Sequence, residues 1–201
     1  MRKIHLGILG MGNMGGGHFH NILEGKCPSV EVTAICDIDT DRLSLFSDKL
    51  ASAAAFTNAE EMLDSGLVDA VLITVPHYDH PTFAIECFKR SIHVLTEKPA
   101  GVYTRQVREM NAAAEKAGVK FGIMFNQRTN PLYAKAREIV RSGALGELKR
   151  LVWIITNWYR TQAYYDSGSW RATWSGEGGG VLLNQAPHNL DLWQWIFGLP
   201  K

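Results

Sequence analysis

The 201-residue sequence has only three cysteines, no long hydrophobic run and almost no net charge. Each shortage excludes something. Cys27, Cys36 and Cys87 are odd in number and far apart, without the close pairs of zinc sites or redox dithiols, so all three are expected to be small core residues. No apolar stretch approaches the roughly 20 residues needed to span a bilayer. Met1-Arg2-Lys3 leads straight into a strand pattern rather than a signal-peptide core, which predicts a cytoplasmic protein. The formal net charge is +1 and neither sign clusters, which argues against nucleic acid or a membrane surface as partner and favours a small polar molecule. His77, Asp79 and His80 match no strong metal motif, and no metal is expected.

What is present is a core-forming composition, 46% hydrophobic and 20% charged, arranged as alternating strand and helix patterns. "KIHLGILG", "EVTAICDID", "DAVLITVP", "IHVLTE" and "VKFGIMF" read as buried strands. Helical patterns separate them: about 14–23, "TDRLSLFSDKLA" with Asp39 or Thr40 as cap, about 81–89, and 104–116. The alternation predicts an α/β, doubly wound parallel sheet over residues 1–122, with a second domain from 123 to 201. In that second part only "LKRLVWIITNW" is a convincing strand, and a single strand makes no sheet.

The first turn, "ILGMGNMG", places Gly10, Gly12 and Gly15 in the G-x-G-x-x-G spacing between a strand and a helix. Gly10 allows the tight turn, Gly12 lets backbone approach a pyrophosphate, and Gly15 lets helix pack on strand, with Asn13 and Met14 in the helix's first turn facing the phosphates. Asp37 ends the second strand 22 residues after Gly15, where a ribose-binding acid is expected. Its carboxylate accepts from a ribose 2′-hydroxyl and repels a 2′-phosphate, so NAD is favoured over NADP, although Arg42 lies near in sequence.

Ligands of such sheets sit beyond the carboxyl ends of the strands, which directs attention to two loops. In "TVPHYDHP", Thr74, Pro76, His77 and His80 are candidates to lie along the cofactor, with His80 also fit to open the next helix. In "TEKPAG", Glu97 and Lys98 are either a surface ion pair or a site pair, Pro99 fixing the backbone. A lysine beside a nicotinamide ring is partly desolvated and suits hydrogen bonding and proton transfer at a substrate hydroxyl.

In the second half, "FNQRTNP" offers Asn126, Arg128 and Asn130, and "NWYRTQAYYDSGSWR" offers Tyr159, Arg160, Trp170 and Arg171, a mixture of flat apolar faces and hydrogen bonders suited to sugars or to a subunit interface. "EGGGVLLNQAPHNLDLW" then sets three glycines before an apolar run that contains Asn184 and, four residues on, His188. On residues alone His188 is a core histidine, with Asp191 as a partner, or a site residue on the same helical face as Asn184.

"GILGMGNMG", "AICDID", "TVPHYDH", "HVLTEKPAG" and "GGGVLLNQAPHNLDL", in this order, resemble the glucose-fructose oxidoreductase / inositol dehydrogenase / rhizopine catabolism (Gfo/Idh/MocA) family over the whole chain. The resemblance implies a Rossmann domain, a C-terminal α/β substrate domain with a mostly antiparallel sheet, and NAD(P)-dependent oxidation or reduction at a secondary alcohol or ketone of a sugar, sugar derivative or cyclitol. It implies that Lys98 contacts the reacting hydroxyl and the nicotinamide ribose and that His188 is the general base or acid. Asn184 stands where many members carry aspartate, a departure that leaves an amide to position the substrate. Two further readings of the same resemblance are an NAD-dependent glycoside hydrolase and a non-catalytic dinucleotide sensor. A homo-oligomer, dimer or tetramer, built through the C-terminal sheet is also implied. Members continue well beyond this point with more strands, so the sequence reads as a truncated chain, expected alone to bind dinucleotide, turn over little and associate.

Overall fold

The structure, a computed structural model, describes residues 2–50, 53–156, 159–166, 168 and 170–199. Two compact units divide it, Met1–Met124 and Phe125–Lys201.

The first unit is a six-stranded, all-parallel sheet. Its strands are β1 (Ile4–Leu9), β2 (Val30–Cys36), β3 (Ala54–Phe56), β4 (Ala70–Ile73), β5 (His93–Thr96) and β6 (Phe121–Ile123), in the order β3-β2-β1-β4-β5-β6. This is the doubly wound order of dinucleotide-binding folds, with the reversal between β1 and β4. The central strands carry the apolar runs read from sequence, because a strand covered on both faces must bury every side chain. Ile8 packs with Ile35, Phe19 and Phe46 on one side, while its neighbour Leu9 joins Cys36, Val71, Ile73 and Met110 on the other.

Helices α1 (Asn13–Leu23), α2 (Thr40–Ser44), α3 (Ala59–Asp64), α4 (His80–Lys89) and α5 (Thr104–Ala117) connect the strands. Asp39, rather than Thr40, caps α2, its carboxylate accepting from the Asp41 and Arg42 N–H groups. The helix expected over the rest of "TDRLSLFSDKLA" stops at Ser44 and resumes only as a 3-10 turn, Ser47–Lys49. Strand β3 and helix α3 went unread in the sequence. Three residues are too few to show a period, and β3 exists because Ala54–Phe56 pairs with Ala34–Cys36 at the sheet edge. Asn58 then caps α3 through the Glu60 and Glu61 N–H groups.

Cys36 and Cys87 lie in the core, and burial pushes their thiols up to about 11 and about 12, so both stay protonated and inert. Cys27 is exposed, against the expectation of three core cysteines: it lies in the loop between α1 and β2, outside the layers that bury the other two.

The second unit contains α6 (Pro131–Arg141), α7 (Gln162–Asp166), α8 (Trp174–Glu177), α9 (Val181–Asn184) and α10 (Pro187–Phe197). Helices α6 and α10 pack together, Arg137 donating to the Trp195 carbonyl and lying 4.7 Å over its ring. The strand expected at "LKRLVWIITNW" does not form over residues 148–156, and residues 157 and 158 lie outside the described ones. A strand exists only through ladder bonds to a neighbour, and the described residues of this unit supply none. Val152 and Ile154 are left exposed.

Candidate functional site

In the first unit the glycine turn is built as three different necessities. Gly10 has φ +96°, and a side chain there would press to 2.9 Å on the Thr74 backbone. Gly15 lies so close under the β1 turn that a Cβ would stand 1.9 Å from the Gly10 carbonyl oxygen. Gly12 is the reverse case: a Cβ there would meet only the end of Arg42, 3.8 Å away, so the space in front of it is open. Gly12 is also the residue that begins α1, where no side chain caps the first turn and no acid occupies it. An open approach to uncapped N–H groups at the start of an 11-residue helix is what a pyrophosphate requires, and the residues fit a dinucleotide.

The fit gives a paired prediction. Gly15→Ala is expected to cost about 1–3 kcal/mol of stability, because helix and strand must separate. Gly12→Ala is expected to unfold at nearly the wild-type temperature and yet lose NAD affinity, because its methyl fills only the approach. Thermal unfolding alongside NAD titration checks both; equal stability loss in the two variants would contradict the assignment.

Asp37 is buried at the end of β2. One carboxylate oxygen accepts from the Met11 N–H at 2.6 Å and the other from the Asp39 N–H at 3.0 Å, tying the glycine turn to the following loop. Arg42 Nη1 stands 3.8 Å from the same carboxylate and its Nε 3.3 Å from Asp39. Thr74 donates to the Leu9 carbonyl at 3.0 Å, which joins the end of β4 to that of β1. Pro76 is exposed beside it and His77 is buried.

His80 is held through both ring nitrogens. It opens α4 with 1% of its surface exposed, its Nδ1 at 2.7 Å from the Pro99 carbonyl and its Nε2 at 2.8 Å from the Val75 carbonyl. Burial holds its imidazole below the usual histidine value, against the pull of those carbonyls and of Glu97 toward the cation. Its role is to brace the "TEKP" loop against the end of β4. Glu97 is buried too: Oε1 faces His18 Nε2 at 3.0 Å and Oε2 accepts from the Lys98 N–H at 3.2 Å. The backbone of Lys98 is therefore held by its own neighbour, which α1 holds in turn. His18 was missed in the sequence, and its signal is the place one helical turn after Gly15.

In the second unit a cavity of about 380 Å³ is lined by Arg160, Tyr165, Trp174, Glu177, Asn184 and Gln185, among others. Arg160 donates to Gln185 at 2.9 Å, and Arg160 and Arg171 lie over the Tyr164 ring at 5.2 and 4.3 Å. Arg171 also lies 4.8 Å from the Trp170 ring. Tyr159 and Asn126 are exposed.

One expectation is corrected here. Asn184 and His188 do not share one helix: Asn184 ends α9, and α10 starts anew at Pro187, whose missing N–H suits a first turn and disfavours helix through the residue before it. Asp191 holds Arg128, both of its oxygens taking the guanidinium, so two of the three nitrogens of Arg128 are committed within the unit. Asn130 caps α6 through the Leu132 N–H. Of the three glycines, only Gly178 needs a left-handed φ, +77°, which ends α8. Asn184 is buried, its Nδ2 donating to the buried Glu177 carboxylate, an acid passed over in the sequence although it directly precedes the glycines. His188 is half-buried and meets Phe125 edge-on, ring centres 6.1 Å apart.

Residues 4–125 match the NAD-binding Rossmann-fold domain of the GFO_IDH_MocA oxidoreductases, and residues 133–201 match a C-terminal domain of the same group. The chain is 29% identical over 199 residues to the rhizopine catabolism protein MocA of Rhizobium meliloti, covering 98% of this chain and 58% of that protein. It is 29% identical over 195 residues to an inositol 2-dehydrogenase of Rubrobacter xylanophilus, covering 96% and 52%. The WlbA dehydrogenase of Bordetella pertussis, solved in complex with NADH and UDP-GlcNAcA, superposes with a TM-score of 0.87 at 29% identity, over 98% of this chain and 60% of that one. The chain thus spans a little over half the length of the proteins it matches.

Proposed function

Because the chain belongs to the GFO/IDH/MocA family of NAD-binding oxidoreductases, we propose an NAD-dependent dehydrogenase acting on a secondary alcohol of a sugar, sugar derivative or cyclitol. The observation that carries the reading is the glycine turn, open only at Gly12, set beside a "TEKP" loop in which Glu97 holds the Lys98 N–H and is met by His18, while His80 holds the Pro99 carbonyl. NAD supplies the hydride acceptor when bound.

The chain's own residues do the rest. Lys98, its backbone held by Glu97, donates to the reacting hydroxyl and polarises it. His188 takes the hydroxyl proton in oxidation and returns it in reduction. Asn184 positions a neighbouring hydroxyl, and the aromatic faces and guanidinium groups of Arg160, Trp170 and Arg171 suit a sugar ring. Tyr159 and Asn126 belong to the same proposed recognition surface. Inositol 2-dehydrogenase among the relatives supports a polyol substrate, and UDP-GlcNAcA in the WlbA complex supports a sugar derivative. The mostly antiparallel C-terminal sheet, with "LKRLVWIITNW" as one of its strands, and a dimer or tetramer built on it are part of the same reading; the exposed Val152 and Ile154 are the side chains such a sheet would cover.

The test is absorbance of reduced nicotinamide when the full-length enzyme is mixed with NAD and a panel of polyols, inositols and aldoses. Growth of the signal with one of them is expected. Binding of NAD without reduction by any member would favour the hydrolase or sensor reading instead.

NAD is proposed over NADP because Asp37 places a fixed, buried carboxylate where a 2′-phosphate would lie. Asp37→Ser removes that charge and leaves Arg42, still held through Nε by Asp39, with its Nη1 turned to the ribose position, so the NAD-to-NADP ratio of kcat/KM is expected to fall about tenfold or more. An unchanged ratio would assign Asp37 to the turn alone, through its Met11 and Asp39 contacts.

A further inference from the structure

The amide at position 184 raises a problem that its neighbours resolve. An asparagine side chain is a donor on one edge and an acceptor on the other, and a substrate hydroxyl reads the two differently. Glu177 ends α8 and Asn184 ends α9, with the glycines between them, and both side chains are buried in the wall of the same cavity. The Asn184 Nδ2 donates to Glu177 Oε1. An ionised carboxylate only accepts, so it meets Nδ2 and turns Oδ1 to the opposite edge of the amide. A carbonyl oxygen can only accept, so that edge of the amide carries acceptor character alone.

We propose that Glu177 is a positioning residue that fixes the polarity of the Asn184 amide, so that position 184 presents an acceptor to the substrate. The proposal rests on the dehydrogenase reading above and goes beyond it: the carboxylate absent from position 184 is supplied seven residues earlier, and it acts through the amide rather than on substrate. The substrate is then a polyol or sugar whose hydroxyl next to the reacting carbon donates a hydrogen bond, and a derivative methylated at that oxygen is a poor substrate.

The polarity logic supplies its own rescue. Glu177→Gln is nearly isosteric but has an amide that donates or accepts, so it no longer selects one orientation of Asn184. Adding Asn184→Asp to Glu177→Gln restores a single arrangement, the amide at 177 donating to a carboxylate at 184 that again presents an acceptor. In the full-length enzyme, with the panel compound turned over by wild type, Glu177→Gln is expected to raise substrate KM about tenfold, with a smaller change in kcat and an unchanged KM for NAD. The double variant is expected to recover most of that loss. A merely structural Glu177 would lower the unfolding temperature of the single variant without this KM-specific pattern or the rescue.

A second readout needs no substrate. In asparagine-15N-labelled protein, the Asn184 side-chain NH2 pair, identified by its disappearance in Asn184→Asp, is expected to be widely split, with the proton on Glu177 downfield, and to narrow in Glu177→Gln. An unchanged pair, or an unchanged substrate KM, overturns the proposal. Failure of the whole panel to reduce NAD overturns the dehydrogenase reading instead, and the two failures are thereby distinguished.

Discussion

Lys98→Met in the full-length enzyme is expected to lower kcat/KM about a thousandfold while leaving NAD binding within about 1 kcal/mol of wild type. Methionine keeps the unbranched stem and so fills nearly the same volume, but it removes the charge and all three donors. The backbone should not move, because Lys98 is held through its N–H on Glu97, and Glu97 in turn by His18. The fall should appear in kcat as much as in kcat/KM, since polarising the hydroxyl stabilises the transition state more than the bound alcohol. Single-turnover absorbance on the panel substrate, with NAD titration as control, makes the measurement. Retention of even a tenth of the wild-type rate would remove Lys98 from the chemistry.

His188→Ala should cost between about a hundredfold and ten-thousandfold in kcat, the usual range for a positioned acid–base group. Its sharper signature is in the pH profile. A histidine base must be neutral to accept the alcohol proton, so wild-type oxidation rises with pH as the imidazole gives up its proton. Ketone reduction needs the cation and falls over the same interval. Both limbs should vanish in the variant, and added imidazole should restore part of the oxidation rate. Persistence of the limb would assign the base elsewhere and return His188 to a packing role against Phe125. Stability should change less than activity, because His188 is only half-buried in α10, where the fully packed positions are Leu192 and Ile196.

How much of this was legible in the sequence depended on whether a residue's partner was local. The strands β1, β2 and β4 were read from apolar runs ending in glycine, acid or proline, and α5 from the helical pattern over 104–116, which the structure ends one residue later, before Gly118. The glycine turn was legible because G-x-G-x-x-G is a short-range device whose spacing is set by backbone geometry. The break between α9 and α10 was also there to be read in Pro187, but the apolar run on both sides concealed it.

His80, Arg128 and Glu177 were not legible, for a common reason. His80 is assigned by the carbonyls of Val75 and Pro99, Arg128 by Asp191, 63 positions away, and Glu177 by an amide on the far side of three glycines. Composition and motif alone made each of them a candidate ligand contact or left it unnoticed.

By itself the sequence determined the alternation of strand and helix, the phosphate turn, the acid at the end of β2 and the family to which the chain belongs. The first two follow from side-chain periodicity and from glycine's lack of a Cβ, which act within a few residues, and the family follows from the resemblance of the quoted motifs. Only the tertiary structure decided that β3 pairs at the sheet edge, that His80 and Glu97 brace the lysine loop, and that Glu177 orients Asn184. Buried polar groups must find partners wherever packing brings them, and no local pattern records which partner that will be.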